Sequence, residues 1–187
     1  MFVSKELRKK NIAEYLLYMW QVEDLIRANN LSLDSIKSNV ISAYGLPEEG
    51  KAQLIEWYGN LIEMMRTEGV AQAGHLQINK NIIIMLTDLH LRLLESPKVP
   101  FYSAAYYKAL PFIVEFRTKS NGQEKPELEN CFDALYMVWM MKLQKREISE
   151  ETLKATTEIS KFISMLSLYY KEDEEGRLKL EDDEALS

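Results

Sequence analysis

The feature that most limits the fold of this chain is the spacing of its apolar residues, which recur every three or four positions along almost the whole length. Residues 76–94 show it best, because their apolar residues, more than half of the segment, follow the helical period. No stretch alternates apolar and polar residues long enough for a half-buried strand. The β-branched run 82–84 lies inside a longer helical pattern. We therefore predict an all-α fold, a single compact bundle of six to seven helices.

Capping and helix-breaking residues divide this pattern into elements. Serine before an apolar run is an N-cap candidate, glycine after one allows a left-handed exit, and proline opens or stops a helix. These signals predict helices over 4–29, 32–45, 47–69, 76–94, 102–118, 128–145 and 149–170. Pro111 lies inside the fifth of these, where it removes a backbone hydrogen bond and clashes with the preceding turn. We expect a kink or a break there.

Acidic residues are concentrated at the end of the chain. The sequence has 29 acidic and 23 basic residues and a net charge of -6, and eight of the acids fall within residues 171–187. Such a run buries too little apolar surface to offset the entropy lost on ordering. The length of 187 residues fits one domain. We predict a helical bundle domain over 1–170 and an acidic, disordered tail over 171–187, which either solubilises the protein or binds a partner.

Composition and motifs argue against several classes of protein. The basic residues form no stripe that could displace counterions from a phosphate backbone, so nucleic-acid binding is not expected. The longest apolar-rich run, 131–143, is shorter than the ~20 residues of a membrane span, and the N-terminus lacks the apolar region of a signal peptide. A single cysteine precludes an internal disulfide and an all-thiolate zinc site. We expect a cytoplasmic protein with no membrane partner.

The two histidines, His75 and His90, are the first candidates for chemistry. They are fifteen residues apart, about 22 Å along a straight helix, so one helix cannot bring both to a single metal ion. Neither belongs to a motif that aims histidine and glutamate at a zinc or di-iron centre. We predict no metal site and no cofactor. The structural alternative for each histidine is a partly buried, hydrogen-bonded side chain.

Other candidates lie on predicted helices whose remaining residues are mainly apolar and are expected to be buried. Glu115 and Arg117 follow Pro111 closely among apolar residues, which fits either a general base or anion clamp, or a structural ion pair between helices. Cys131 is a candidate nucleophile, although its apolar neighbours favour a buried, inert thiol. Tyr106 and Glu63 are weaker candidates for the lining of a pocket.

Five short segments carry a resemblance to a known family: Glu68-Gly69, Gly74-His75-Leu76, Leu89-His90-Leu91, Glu115-Phe116-Arg117 and Glu129-x-Cys131. With these segments and its length, the chain resembles a bacterial family catalogued as domain of unknown function 4924, found mainly in Bacteroidetes. The resemblance covers the chain up to about Tyr170. It implies an all-helical cytoplasmic protein with no established activity, and it supplies no functional residues.

Two hypotheses for function follow from these observations. No phosphate-binding loop, dinucleotide fingerprint or nucleophile elbow is present, and several helices are rich in methionine and aromatic residues. We therefore favour a non-enzymatic interaction or regulatory module of unknown specific role, self-associating or bound to a protein partner. The alternative is a small-molecule-binding or catalytic bundle with a pocket around His75, Glu115 and Arg117.

Overall fold

The computed structural model describes residues 2–120 and 122–180, and over these residues the protein is all-α, as predicted. Eight α-helices and two short 3-10 helices are present there, and no strand. The α-helices are α1 Phe2–Lys10, α2 Ile12–Ala28, α3 Leu33–Asn39, α4 Glu48–Thr67, α5 Gln77–Glu95, α6 Pro100–Lys119, α7 Glu127–Leu143 and α8 Glu150–Glu174. The 3-10 helices are Ile41–Ala43 and Gly122–Glu124.

The predicted count of six to seven helices is wrong because the first predicted helix is two. Asn11 separates α1 from α2, and its Oδ1 accepts hydrogen bonds from the backbone N–H of Ala13 at 3.1 Å and from Ser167 Oγ at 2.7 Å. Asparagine is a strong N-cap residue, since its side chain satisfies an N–H group that a helix start leaves unpaired. The apolar spacing continues across this break and therefore conceals it.

The described residues divide into two compact units. The first contains residues 2–10 and 14–82, and the second contains 11–13, 83–120 and 122–180. The core of the first unit includes the fully buried side chains Leu16, Trp20, Ile26, Ile36 and Met65. In the second unit α6, α7 and α8 pack against one another around Tyr102, Ala109, Ile113, Phe132, Phe162 and Leu166. The single domain boundary at residue 170 stays a prediction.

Proline 111 does not interrupt α6, which is helical from Pro100 to Lys119. A proline at this position leaves the carbonyl group of Tyr107 without its helical donor. Both Pro111 and Tyr107 are exposed, so water can solvate that carbonyl group. Of the kink or break predicted at Pro111, the break is therefore absent, and the kink stays a prediction.

Helix α8 continues into the segment 171–187 that the sequence assigns to an acidic tail. Asp173 accepts two hydrogen bonds from the guanidinium of Arg92, at 2.9 and 3.0 Å. Gly176, with φ of 66°, then supplies the left-handed residue that ends the helix. Residues 181–187, where the disordered tail is also predicted, lie outside the described residues.

Candidate functional site

His75 belongs to a buried network of the first unit. The carboxylate of Glu23, on α2, is fully buried. Its Oε1 accepts hydrogen bonds from Leu76 N at 2.9 Å and Asn79 Nδ2 at 2.7 Å, and its Oε2 lies 2.7 Å from His75 Nδ1. The His75 ring also stacks on the ring of Trp20, with centroids 4.0 Å apart. Because a buried carboxylate is costly unless it is hydrogen-bonded, this arrangement satisfies Glu23 and closes the start of α5.

The connection between α4 and α5 is fastened from both sides. Arg27, one turn beyond the buried carboxylate on α2, donates to the carbonyl groups of Val70, at 3.2 Å, and of Gly74. Glu68 Oε2 accepts from the backbone N–H of Gln77 at 2.6 Å, the first residue of α5. Acidic groups at a helix N-terminus are favourable because they meet unpaired N–H groups and the positive end of the helix dipole. Arg27 and Glu68 therefore have a structural role, which is to hold the connection between α4 and α5 in place.

His90 lies in a second buried network, in the second unit. It is 5% exposed, and its Nδ1 lies 2.6 Å from the hydroxyl group of Tyr102. The rings of Tyr106 and Phe162 pack against the imidazole, and Tyr106 donates to Glu127 Oε1 at 3.0 Å. Burial lowers the pKa of His90 from 6.5 to about 4, so the ring is neutral at neutral pH. Nδ1 and the Tyr102 hydroxyl group share one hydrogen bond, whose donor depends on the tautomer of the ring.

Cys131 joins the same network. Its side chain is fully buried, and burial, with a smaller effect of Glu127, raises the pKa of the thiol. Burial also raises the pKa values of Tyr102 and Tyr106, with the negative charge of Glu127 acting in the same direction. A thiol held in its protonated form is a poor nucleophile. The structure thus brings together three predicted site residues, His90, Tyr106 and Cys131, in an interior that keeps each of them neutral.

The remaining predicted residues have separate surroundings. Glu115, partly exposed on α6, pairs with Lys119 one turn further along the same helix. Arg117 is also on α6 and is partly buried. Glu63 lies on the exposed side of α4, with Arg66 Nη1 at 3.9 Å. His75 lies in the first unit, whereas Glu115 and Arg117 lie in the second. The pocket that would combine them stays a prediction.

The most distinctive surface of the second unit is the outward side of α6. Phe101 is 80% exposed, Tyr107 63% and Val114 53%, and the exposed residues Ala104 and Pro111 lie between them. These five residues, which we call the α6 face, recur every three or four positions and form a stripe ~20 Å long. The stripe itself contains no charged side chain.

The opposite side of α6 is apolar as well. Tyr102, Ala109 and Ile113 are buried there against α7 and α8. Exposed apolar patches mark interaction sites, so a second apolar side of α6 that faces solvent is a candidate for one. Tyr106 is the only tyrosine of this helix among the predicted site residues, and the second stripe is not predicted. The three- and four-residue spacing from Phe101 to Val114 was the signal that could have identified it.

The family comparison agrees with the resemblance seen in the sequence. The family model described as Domain of unknown function (DUF4924) matches residues 1–177. The chain belongs to this family. No curated protein and no solved structure matches the chain.

The described residues of the DUF4924 chain contain neither a metal-binding group nor a membrane-spanning helix. In the described ranges, no three histidine, cysteine, aspartate or glutamate side chains are grouped to hold a metal ion. None of the helices within those ranges combines the length and apolarity needed to cross a bilayer. Several segments that carry the family resemblance make structural contacts: His75 lies in the first buried network, His90 and Cys131 lie in the second, and Glu68 and Gly74 are exposed residues of the connection between α4 and α5.

Proposed function

We propose that the protein is a non-enzymatic helical interaction module that self-associates through the α6 face. The observation that carries the proposal is the exposed apolar stripe on a helix whose other side already fills a core. Exposure of this much aromatic and aliphatic surface to water is unfavourable, and burial of the same surface in an interface is favourable.

A second copy of the chain is the occupant we propose for this face. The five residues of the stripe carry no charge that would select a charged partner, and the charged residues beside them, Lys108 and Glu115, are each paired within the chain. Its residues extend over one continuous helix, so a twofold axis near Tyr107 would place two α6 helices antiparallel. Phe101 of each copy would then lie near Val114 of the other, and the same patch would serve both copies.

The exposed area indicates a weak dimer. Aromatic side chains bury about 150–250 Å² when fully covered, so Phe101 and Tyr107 expose on the order of 100 Å² each. With its three smaller residues the α6 face offers roughly 300–400 Å² per copy, so the pair falls in the class below about 1,200 Å² in total. We expect a dissociation constant on the order of 10 μM or weaker.

The buried networks support a non-enzymatic protein over the catalytic alternative. A general base near neutral pH needs a pKa close to the working pH, and His90 has a pKa of about 4. Cys131, the candidate nucleophile, is a fully buried thiol with a raised pKa. The free thiol is compatible with a reducing compartment, and we place the protein in the cytoplasm as part of the same proposal.

Charge complementation at position 107 tests the proposal. Sedimentation velocity from about 10 μM to 1 mM should show reversible dimerisation of the unmodified protein. Tyr107→Glu alone and Tyr107→Lys alone should each abolish it, because the twofold axis brings like charges together. An equimolar mixture of the two variants should restore it. The matched control is Leu168→Glu, which changes a leucine on α8 that is 57% exposed and lies outside the α6 face.

Several results would overturn this proposal. They are a strictly monomeric protein at 1 mM, dimers that persist in both variants at position 107, or dimers that only Leu168→Glu disrupts. Failure of the mixture to associate while both variants remain folded by circular dichroism would contradict the placement of the twofold axis.

A further inference from the structure

A groove between α6, α7 and α8 is the strongest remaining feature of the second unit. It has a volume of about 290 Å³, close to the lower end of small-molecule sites in proteins. Apolar side chains from all three helices form its floor: Phe112, Phe116, Ala134, Met137 and Ile159. None of these five residues belongs to the α6 face.

Charged side chains are placed only at the rim of the groove. Glu115 and Lys119 lie there on α6, and Glu151 lies there on the first turn of α8. The rim thus has two carboxylates and one ammonium group. The negative C-terminal end of α6 and the positive N-terminal end of α8 meet at the same place, so the two helix dipoles offset one another. A net charge of one negative unit remains over an apolar floor.

The ion pair at this rim is exchangeable. Lys119 contacts the Glu115 carboxylate, but its side chain is 69% exposed, so it can turn into solvent at little cost. A cation that enters the groove would then take its place between Glu115 and Glu151. Unlike the lysine, such a ligand could bury an apolar body against the floor. The rings of Phe112 and Phe116 would add the attraction of an aromatic face for a cation.

We propose that the groove between α6, α7 and α8 binds a small apolar amine. Its aryl or alkyl body lies against the floor, and its ammonium group lies between Glu115 and Glu151. The charge of the rim and the apolarity of the floor together select this class over a carboxylate or a polar amine. Because Glu115 is partly exposed and Glu151 is exposed, binding is weak and depends on ionic strength.

Three ligands of the same shape separate the contributions of charge and burial. Phenethylamine, 2-phenylethanol and 3-phenylpropionate are titrated into the full chain, and methyl chemical shifts are followed by NMR. We expect the amine to bind at least about threefold more tightly than the alcohol, and the carboxylate to bind least. Glu115→Gln should weaken amine binding by about two- to fivefold and leave alcohol binding unchanged. Glu63→Gln, at an exposed glutamate of the first unit, is the matched control and should change neither.

A second variant tests the location of the site. Ala155 lines the groove on α8, and Ala155→Phe would fill it. In a variant that melts like the unmodified protein, binding of both amine and alcohol should be lost. The proposal is overturned if the alcohol or the carboxylate binds as tightly as the amine. It is also overturned if 10 mM amine leaves the methyl shifts unchanged, or if folded Ala155→Phe protein binds the amine normally.

Discussion

The buried imidazole of His90 makes the stability of the second unit depend on pH. Its pKa is 6.5 in an unfolded chain and about 4 in the fold, because burial disfavours the charged ring. Between these two values the unfolded state binds a proton that the folded state does not, so stability falls as pH falls. His90 is neutral in both states well above pH 6.5, and there it contributes no pH dependence.

The size of this effect follows from the difference between the two pKa values. One pKa unit corresponds to ~1.4 kcal/mol, so lowering the pH from 7 to 4.5 should remove about 2 to 3 kcal/mol of unfolding free energy through His90 alone. The groups that face the ring are the Tyr102 phenol, the Tyr106 ring with Glu127 behind it, and the Phe162 ring. The phenols remain protonated over this range, because burial raises their pKa values.

Urea unfolding of matched variants isolates this contribution from the other titrating groups. The free energy of unfolding is measured by circular dichroism from pH 7 to 4.5 for the unmodified protein, His90→Gln and Tyr102→Phe. His90→Gln cannot ionise, so it should lose about 2 to 3 kcal/mol less than the unmodified protein over this range. Tyr102→Phe keeps the imidazole, so it should keep the full pH dependence while losing about 1–3 kcal/mol at every pH. Parallel pH profiles for the unmodified protein and His90→Gln would refute the argument.

Three other predictions concern single residues. Gly122→Ala should destabilise the protein by about 1–3 kcal/mol in thermal unfolding, because the added Cβ would clash with Asn130 Oδ1. Gly45→Ala is the control, since the space around its added Cβ is open. Equal effects of the two substitutions would contradict the reasoning. Glu23→Ala should cost about 3 kcal/mol or more in urea unfolding, since it leaves the buried groups at the start of α5 without their acceptor, and a loss under 1 kcal/mol would count against that network. Cys131 should react with a thiol reagent only as the protein unfolds, so rapid labelling of native protein would show that its burial is wrong.

The elements could be predicted from the sequence because helices depend on local spacing and caps. Seven apolar segments were located, and most boundaries agree with the helices of the structure to within a few residues. The break at Asn11 was missed, since one capping side chain gives a weaker signal than the apolar period that spans it. Pro111 was expected to disturb α6, but a proline on an exposed side can leave its orphaned carbonyl group to water.

The candidate site was harder to predict because its residues meet through contacts that are distant in sequence. Glu23 is not among the predicted site residues, and its partners His75 and Leu76 are more than fifty residues away in the sequence. His90 and Tyr106 were both singled out, and spacing could not reveal that one ring packs on the other. Spacing alone could have shown that α6 has two apolar sides, but not which of them is exposed.

The residues of the two buried networks are poorly suited to catalysis, which favours a function at the surface of the protein. A catalytic group must reach a substrate and change its protonation state near the working pH. Glu23 and Cys131 are fully buried, and His90 is held neutral, so each departs from one or both requirements. The hydrogen bonds of these networks hold α5 to α2 and to α6, which is the work of structural residues. The exposed stripe of α6 and the groove beside it have no such structural explanation, and for that reason we assign the protein's interactions to them.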